Sequence, residues 1–132
     1  MTPITCGIVL APRRLVAVVL GPGGEARRAI RAALTDDARC GLVQYLVAVG
    51  GEIVLTERLV RADRIARQAL LVGVPVWAAP DALVAAITIA AAITGPPRIA
   101  AALARLPGVP LLRAQLRSVD SAAPEPRQVP LL

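Results

Sequence analysis

The chain has 132 residues and a mass of 13.7 kDa, a length that fits one domain with one compact core. Apolar residues make up 56% of it, Phe is absent, and the formal net charge is +6. Because the chain has no His and no Lys, the sequence excludes a Ser-His-Asp or Cys-His arrangement, Walker-type phosphate binding and Schiff-base chemistry.

The basic residues are all Arg, and Lys, Asn, Phe and His are all missing. These four residues share A/T-rich codons, so the bias indicates a GC-rich genome. Arg in place of Lys is therefore not evidence of phosphate recognition. The positive sign of the charge is a separate matter, since the same genome could encode more Asp and Glu. DNA or RNA thus stays a candidate partner.

The apolar residues bear on location and assembly. A membrane-spanning helix needs about 20 uninterrupted apolar residues, and the longest candidate, Ala82 to Thr94, stops at Gly95. The N-terminus lacks the basic and apolar regions of a secretory signal. We therefore predict a cytoplasmic protein with no membrane association. The excess of Ala, Leu and Val predicts a homodimer or larger homo-oligomer that buries more surface than one copy can.

The N-terminal stretch predicts a hairpin. Ile4 to Leu10 and Leu15 to Leu20 are rich in β-branched and aliphatic residues, and Pro12 ends the first strand. The second strand is apolar on both faces, which predicts a central strand covered from both sides. The glycine-rich segment 21–24 follows. It lacks the Gly-Lys-Ser sequel of a phosphate loop, so a plain tight turn is favoured.

The segment 25–34 supports two interpretations. At helical spacing its apolar residues fall on one face: Ala26, Ala29, Ile30, Ala33 and Leu34. At a period of two, Arg27 and Arg31 share one face and Arg28 lies on the other, which is typical of a charged edge strand. A third meander strand follows economically from two short turns, and Thr35 directly afterwards is a suitable helix cap. We therefore predict a strand.

The middle of the chain predicts two helices that alternate with two strands. Thr35 is the expected N-cap of a helix from Asp36 to Val49, and we interpret Asp36 and Asp37 as first-turn residues that favour the helix dipole, not as a metal site. Glu52 to Thr56 is the next strand. Arg58 to Val72 is predicted as one helix.

That second helix is supported by two favourable i,i+4 pairs, Glu57 with Arg61 and Asp63 with Arg67. Val74 to Ala79 follows as a fifth strand, and a strand after a helix of this length predicts a parallel crossover.

The C-terminal part predicts three more helices. The helix that begins at Asp81 is apolar almost all round, so it requires cover from both the sheet and a partner. Helices at 97–106 and at 110–118 follow. We place a single α/β domain at 1–119 and a disordered C-terminal tail at 120–132.

We interpret the cysteines and the tryptophan as structural residues. Cys6 and Cys40 lie far apart and have no neighbouring His or Cys, so neither a metal site nor a redox pair is predicted. We expect both to be small buried hydrophobes. Trp77 is expected in the core, with an interface role as the alternative.

A family resemblance rests on the segment Gly7 to Val18 and on Thr56-Glu57, Gly73 and Pro80. The segment is similar in spacing to a Gly-Ile-Asp opening strand with its following hairpin strand. Together with the order βββαβαβ, it resembles the ribonuclease H-like fold over about residues 5–85, and within it the N-terminal domain of IS110-type transposases and the related RuvC-like Holliday-junction resolvases.

That resemblance implies an α/β fold with a mixed five-stranded sheet, a three-strand antiparallel meander plus two parallel strands, flanked by helices. It also implies a nuclease site in which carboxylates hold two metal ions. Val9 stands where the family carries its first Asp, and valine cannot ligate Mg²⁺. Glu57 is the nearest match for the second acid, with a salt bridge to Arg61 as the alternative explanation.

The later acids of the family should lie in the helical region, yet no Asp or Glu occurs between Ala82 and Val119. The resemblance therefore implies a degenerate active site at Val9 and Glu57, with no catalytic residue, no metal and no cofactor. We predict that the protein is not an enzyme.

Five arginines are the predicted nucleic-acid-binding residues: Arg13, Arg14, Arg27, Arg28 and Arg31. Two lie at the hairpin tip and three on the third strand, and we expect them to form one basic face that follows phosphates. A solvated charged edge that prevents sheet-to-sheet aggregation explains the same residues without a ligand.

Three functional hypotheses remain open at this point. The first is a non-catalytic ribonuclease H-like module that binds nucleic acid or protein in a DNA-processing or mobile-element system. The second is a structural homo-oligomer in which the arginines only confer solubility. The third is an enzyme or ligand-binding protein with a pocket near Thr56, Glu57 and Pro80, where few polar groups converge.

Overall fold

The structure is a computed structural model that describes residues 4–119, so the predicted tail at 120–132 lies outside the described residues. Its elements in chain order are strands β1 (Ile4–Ala11), β2 (Arg14–Leu20) and β3 (Ala26–Ala33), helix α1 (Asp36–Val49), strand β4 (Gly51–Thr56), helices α2 (Glu57–Ala62) and α3 (Ile65–Leu71), strand β5 (Val76–Ala79), helices α4 (Asp81–Ala90) and α5 (Pro96–Arg105), a 3₁₀ turn (Leu106–Gly108), helix α6 (Pro110–Arg113) and strand β6 (Arg117–Ser118).

One mixed sheet has the strand order β3-β2-β1-β4-β5-β6. Strands β1, β2 and β3 form the predicted antiparallel meander, and β4 and β5 are parallel to β1. The sixth strand was not predicted, because the segment 110–118 was expected to be a helix throughout. The helix ends at Arg113, and Arg117 and Ser118 then pair with Ala78 and Trp77 of β5. Two residues are too few for an alternating pattern to show.

The ambiguous segment is a strand, as predicted. Strand β3 lies at the sheet edge and pairs along most of β2, with an irregularity between Val19 and Leu20. Only Ile30 and Ala32 of β3 are even half-buried, and its arginines are exposed. Pairing with β2 outweighs the helical spacing of its alanines.

Alternation along β2 divides the sheet into two faces. Leu15, Ala17 and Val19 pack in the large cluster with α1 and α3, and we call this side the α1 face. Val18 and Leu20 pack against Ala100 and Ala104 of α5, and we call this side the α5 face. The prediction that β2 is covered on both sides is confirmed. Both faces bury a row of aliphatic side chains, which is the main stabilising contribution.

Helix α5 lies directly on β1 at Gly7. A Cβ on Gly7 would overlap the carbonyl oxygen of Ala100 and lie 2.8 Å from the amide nitrogen of Ala104. Both are backbone atoms, so they cannot move aside as a side chain could. Gly7 therefore permits the helix to approach the sheet closely.

The predicted helix at 58–72 is wrong as a single element, because it breaks at Asp63. Asp63 has extended backbone angles, and its Oδ2 accepts a hydrogen bond from the Ile65 amide at 3.0 Å. The same carboxylate binds Arg39 of α1, with Nη2 to Oδ1 at 2.8 Å and Nε to Oδ2 at 3.0 Å. Asp63 thus begins the second helix and pairs with α1, a contact that local i,i+4 spacing could not reveal.

The two cysteines differ. Cys6 is fully buried on the α1 face, and burial raises the pKa of its thiol to about 12. Cys40 is exposed on α1, so the expectation that both are buried is wrong for Cys40. Its position on the outer side of the helix keeps it in water.

Helix α4 has no buried residue. Val84 and Ile87 are half-buried beside Leu103 and Leu106, whereas Ile89 is 81% exposed. Within residues 4–119 this apolar helix is therefore covered on one side only. None of the described helices is long and apolar enough to cross a membrane.

Candidate functional site

Val9 lies on the α5 face, between two clusters of apolar side chains. It is half-buried and packs against two clusters at once. The first contains Val18, Leu20, Ala100 and Ala104, and the second contains Val54, Ala79, Leu103 and Leu106. The position of the expected first acid is thus an apolar contact between β1, its neighbours and α5.

Thr56 ends β4 on the same face. In the parallel register Gly7 lies opposite Val54, and two residues further along each strand bring Thr56 level with Val9. The Thr56 hydroxyl accepts a hydrogen bond from the Leu59 amide at 3.1 Å and so caps α2. The residue at the level of Val9 therefore has a structural role in beginning a helix.

Glu57, the first residue of α2, is bound by Arg117 of β6. Arg117 Nε donates to Oε2 at 2.9 Å and Nη2 donates to Oε1 at 2.7 Å. These hydrogen bonds lower the pKa of Glu57 below its ordinary value near 4.5, with a further favourable charge interaction from Arg61, and they raise the pKa of Arg117. The predicted partner Arg61 acts on Glu57 only through its charge at longer range. The two-point contact, which we call the fork, comes instead from Arg117, a residue that sequence spacing could not connect to Glu57.

The carboxyl ends of β4 and β5 meet beside this fork. Thr56 pairs with Ala79, and the Arg58 amide lies 3.4 Å from Asp81 Oδ1 at the start of α4. Among residues 4–119, no group of three or more His, Cys, Asp or Glu side chains lies close enough to hold a metal ion. Asp36 and Asp37 likewise lie at the start of α1, where Thr35 caps the helix as predicted.

Two of the predicted arginines, Arg14 and Arg31, lie on the α5 face, and Arg13 lies in the adjoining hairpin turn. Arg31 pairs with Val16, which pairs with Val9, so the three residues form one cross-strand row. Two strand spacings place the Arg31 backbone about 10 Å from that of Val9. Arg14 lies on the same face opposite Ala11, and Arg13 occupies the hairpin turn with a φ of 60°.

The expectation of a single basic face is wrong for Arg28. Arg28 pairs with Val19 on the α1 face, and its guanidinium lies 5.0 Å from the centre of the Tyr45 ring. Arg27 lies at the irregularity in the β2–β3 ladder. Alternation along β3 therefore divides the arginines between the two faces of the sheet.

Comparison with known proteins establishes the fold. No family model matches the chain, and no curated protein matches it. Among solved structures, the chain is similar to RuvC of T. thermophilus in complex with a Holliday junction substrate, with a TM-score of 0.62 and 15% sequence identity, over 89% of this chain and 99% of that chain. The six-stranded mixed sheet and its flanking helices are thus a ribonuclease H-like fold.

Proposed function

We propose that this chain is a non-catalytic ribonuclease H-like domain that binds nucleic acid through the α5 face, as an interaction module of a DNA-processing or mobile-element system. The observation that carries the proposal is the row Val9-Val16-Arg31. A cation lies on the face where the fold would otherwise present its first acid. A solved structure to which the chain is similar is bound to a Holliday junction substrate, which supports DNA as the partner.

The available arginines support phosphate binding. Within residues 4–119, no ion pair or side-chain hydrogen bond engages the guanidinium groups of Arg13, Arg14 or Arg31, and all three side chains are exposed. Arg39 and Arg117, in contrast, are both held by carboxylates. Unpaired guanidinium groups can replace counterions along a phosphate backbone, which makes binding depend on salt.

The residues near Val9 do not fit a two-metal centre. Mg²⁺ requires oxygen ligands, and the side chain of Val9 offers none. The Thr56 hydroxyl is used in a helix cap, and both carboxylate oxygens of Glu57 are bound by Arg117. These contacts support a domain that binds nucleic acid through the surface of the fold but lacks the carboxylates needed to hold metal ions for hydrolysis.

A cleavage assay tests the non-catalytic part. The full chain is incubated with labelled four-way junction and duplex DNA in Mg²⁺ and in Mn²⁺, beside a Glu57→Gln variant. We expect both DNAs to be retained intact while a mobility shift reports binding at low salt. Metal-dependent cleavage that the variant loses would overturn the proposal and assign Glu57 to catalysis.

A second candidate function is a structural homo-oligomer formed through α4. Four residues at helical spacing form an exposed, uncharged stripe on this helix: Ala82, Ala85, Ala86 and Ile89. Small side chains permit close approach of two helices, and the facing stripe of a second copy supplies matching apolar surface. Light scattering over a range of concentrations tests this candidate, and a monomer at every concentration would contradict it.

A further inference from the structure

A pocket lies on the α5 face, at the opposite end of β4 from Thr56 and Val9. Its volume is about 340 Å³, within the size range of small-molecule sites. It is bounded by the β2–β3 turn, the start of β4, the end of α5 and the 3₁₀ turn after it. Its lining includes Gly21, Glu52, Arg105, Pro107 and Arg113. The pocket is distinct from the Val9 region, because Glu52 and Thr56 lie at opposite ends of β4.

Glu52 contributes a carboxylate to the lining of this pocket. The residue is 6% exposed, and its Oε2 accepts a hydrogen bond from Trp77 Nε1 at 3.1 Å. Its Oε1 is buried and accepts no hydrogen bond from residues 4–119. Leaving a buried carboxylate oxygen without a donor is unfavourable, and native proteins rarely do so. A ligand with N–H donors would satisfy it.

Cationic side chains form the outer wall. Arg113 lies over the Trp77 ring with its guanidinium 5.0 Å from the ring centre, and its Nη1 lies 3.4 Å from the Pro107 carbonyl oxygen. Arg105 is exposed at the end of α5 and also lines the pocket. Glu52, Trp77 and Arg113 thus form one continuous arrangement. A ligand here meets an acceptor inside and positive charge outside.

We infer that this pocket binds a guanine nucleotide, with the base toward Glu52 and the phosphate toward Arg105 and Arg113. The Watson–Crick edge of guanine carries two adjacent donors, N1–H and N2–H₂, which suit a carboxylate. Cytosine and thymine place carbonyl or ring acceptors beside their donor, and adenine places N1 there, so each would bring a lone pair against Glu52. Arginine guanidinium groups bind phosphate and stack on bases.

This inference goes beyond the proposed function, because a mononucleotide needs neither the hairpin arginines nor a duplex. The chain has one Trp, and its indole donates to Glu52, so tryptophan fluorescence reports on the pocket. GMP, AMP and CMP are titrated into the full chain. We expect GMP to bind at least about ten-fold more tightly than AMP or CMP.

Variants separate the base from the phosphate. We expect Glu52→Gln to weaken GMP binding by about ten-fold or more and Arg105→Gln to weaken GMP without affecting guanosine. Arg98→Gln, the same charge change at the other end of α5, serves as the control and should leave GMP binding unchanged. Thermal unfolding checks that each variant folds. If Glu52→Gln does not fold, the relative affinities for GMP, AMP and CMP and the result for Arg105→Gln still test the inference.

Several results would overturn the inference. One is GMP binding no tighter than AMP and CMP, and another is unchanged GMP affinity in folded Glu52→Gln. Tighter, Glu52-dependent binding of L-arginine than of GMP would identify a site for organic cations in place of guanine.

Discussion

The guanidinium of Arg117 holds the carboxylate of Glu57 at two points, at 2.9 and 2.7 Å, although 60 positions of sequence separate the two residues. The fork ties the last strand of the sheet to the first turn of α2. Its two members are partly exposed, at 24% for Glu57 and 51% for Arg117, so solvent screening reduces its energy. The pairing still occupies the only acid that the family resemblance matched.

Glu57→Gln should lower stability by about 1 kcal/mol at neutral pH, because it removes a charge-assisted two-point contact. The folded-state pKa of Glu57 lies below its ordinary value near 4.5, so this contribution is present above pH 4.5 and is lost as pH falls through the folded pKa. Urea unfolding at pH 7 and in acid measures it. The gap between wild type and variant should narrow in acid; a gap that does not change with pH would contradict this. Arg61→Gln should lower stability less than Glu57→Gln does, because Arg61 interacts with Glu57 only through its charge.

Gly7→Ala should destabilise the protein by about 3 kcal/mol, because the added methyl group meets the backbone of α5 at Ala100 and Ala104. Gly41→Ala is the matched control. Gly41 lies in α1 with open space around it, so its alanine variant should gain up to about 1 kcal/mol from helix propensity. Chemical denaturation measures the free energy of unfolding of both variants. Equal effects of the two substitutions would show that α5 does not lie on β1 as described.

Arg39→Met should cost about 3 kcal/mol, because it leaves the buried Asp63 carboxylate without the guanidinium that neutralises its charge. The Asp63 side chain is only 7% exposed. Arg64 offers a control, since it binds Asp36 at 3.4 Å from an exposed position. We expect Arg64→Met to cost less than about 0.5 kcal/mol. Similar losses for the two variants, measured by thermal unfolding, would contradict a buried ion pair between α1 and the α2–α3 break.

Ile89→Glu should convert an α4-mediated oligomer to monomer, because it replaces the largest apolar side chain of the exposed stripe with a charged one. Leu71→Glu alters another exposed apolar residue, on α3 and 74% accessible, and should leave the assembly unchanged. Light scattering compares the three proteins. Loss of assembly in the Leu71 variant, or its persistence in the Ile89 variant, would place the interface elsewhere.

Most of the fold was accessible to sequence reasoning because local patterns and global pairing agree. Helix α1 begins and ends where Thr35 and Gly50 cap it, and its bounds match the prediction. Strand β3 was decided correctly only by the position of its neighbours. The break at Asp63 and strand β6 were missed, because each depends on a distant partner, Arg39 for the break and β5 for the strand.

The site was less accessible for a related reason. The valine at position 9 could be read directly, but the fork on Glu57 and the buried Glu52 oxygen that has no donor within residues 4–119 depend on contacts far apart in sequence. The division of Arg28 from Arg31 follows from strand alternation, yet it needed the strand to be established first. The binding role of the arginines stays a prediction.

The salt dependence of DNA binding tests the central claim most directly, and β3 offers a matched pair of variants. Arg31 lies on the α5 face and Arg28 on the other, so the same change to Gln removes the same charge from opposite sides of one strand. The measurement is the slope of log K against log salt for a four-way junction. We predict a steep negative slope for wild type, a slope smaller by about 1 for Arg31→Gln, and the wild-type slope for Arg28→Gln. No binding at low salt, or equal effects of the two variants, would contradict a nucleic-acid interface on the α5 face.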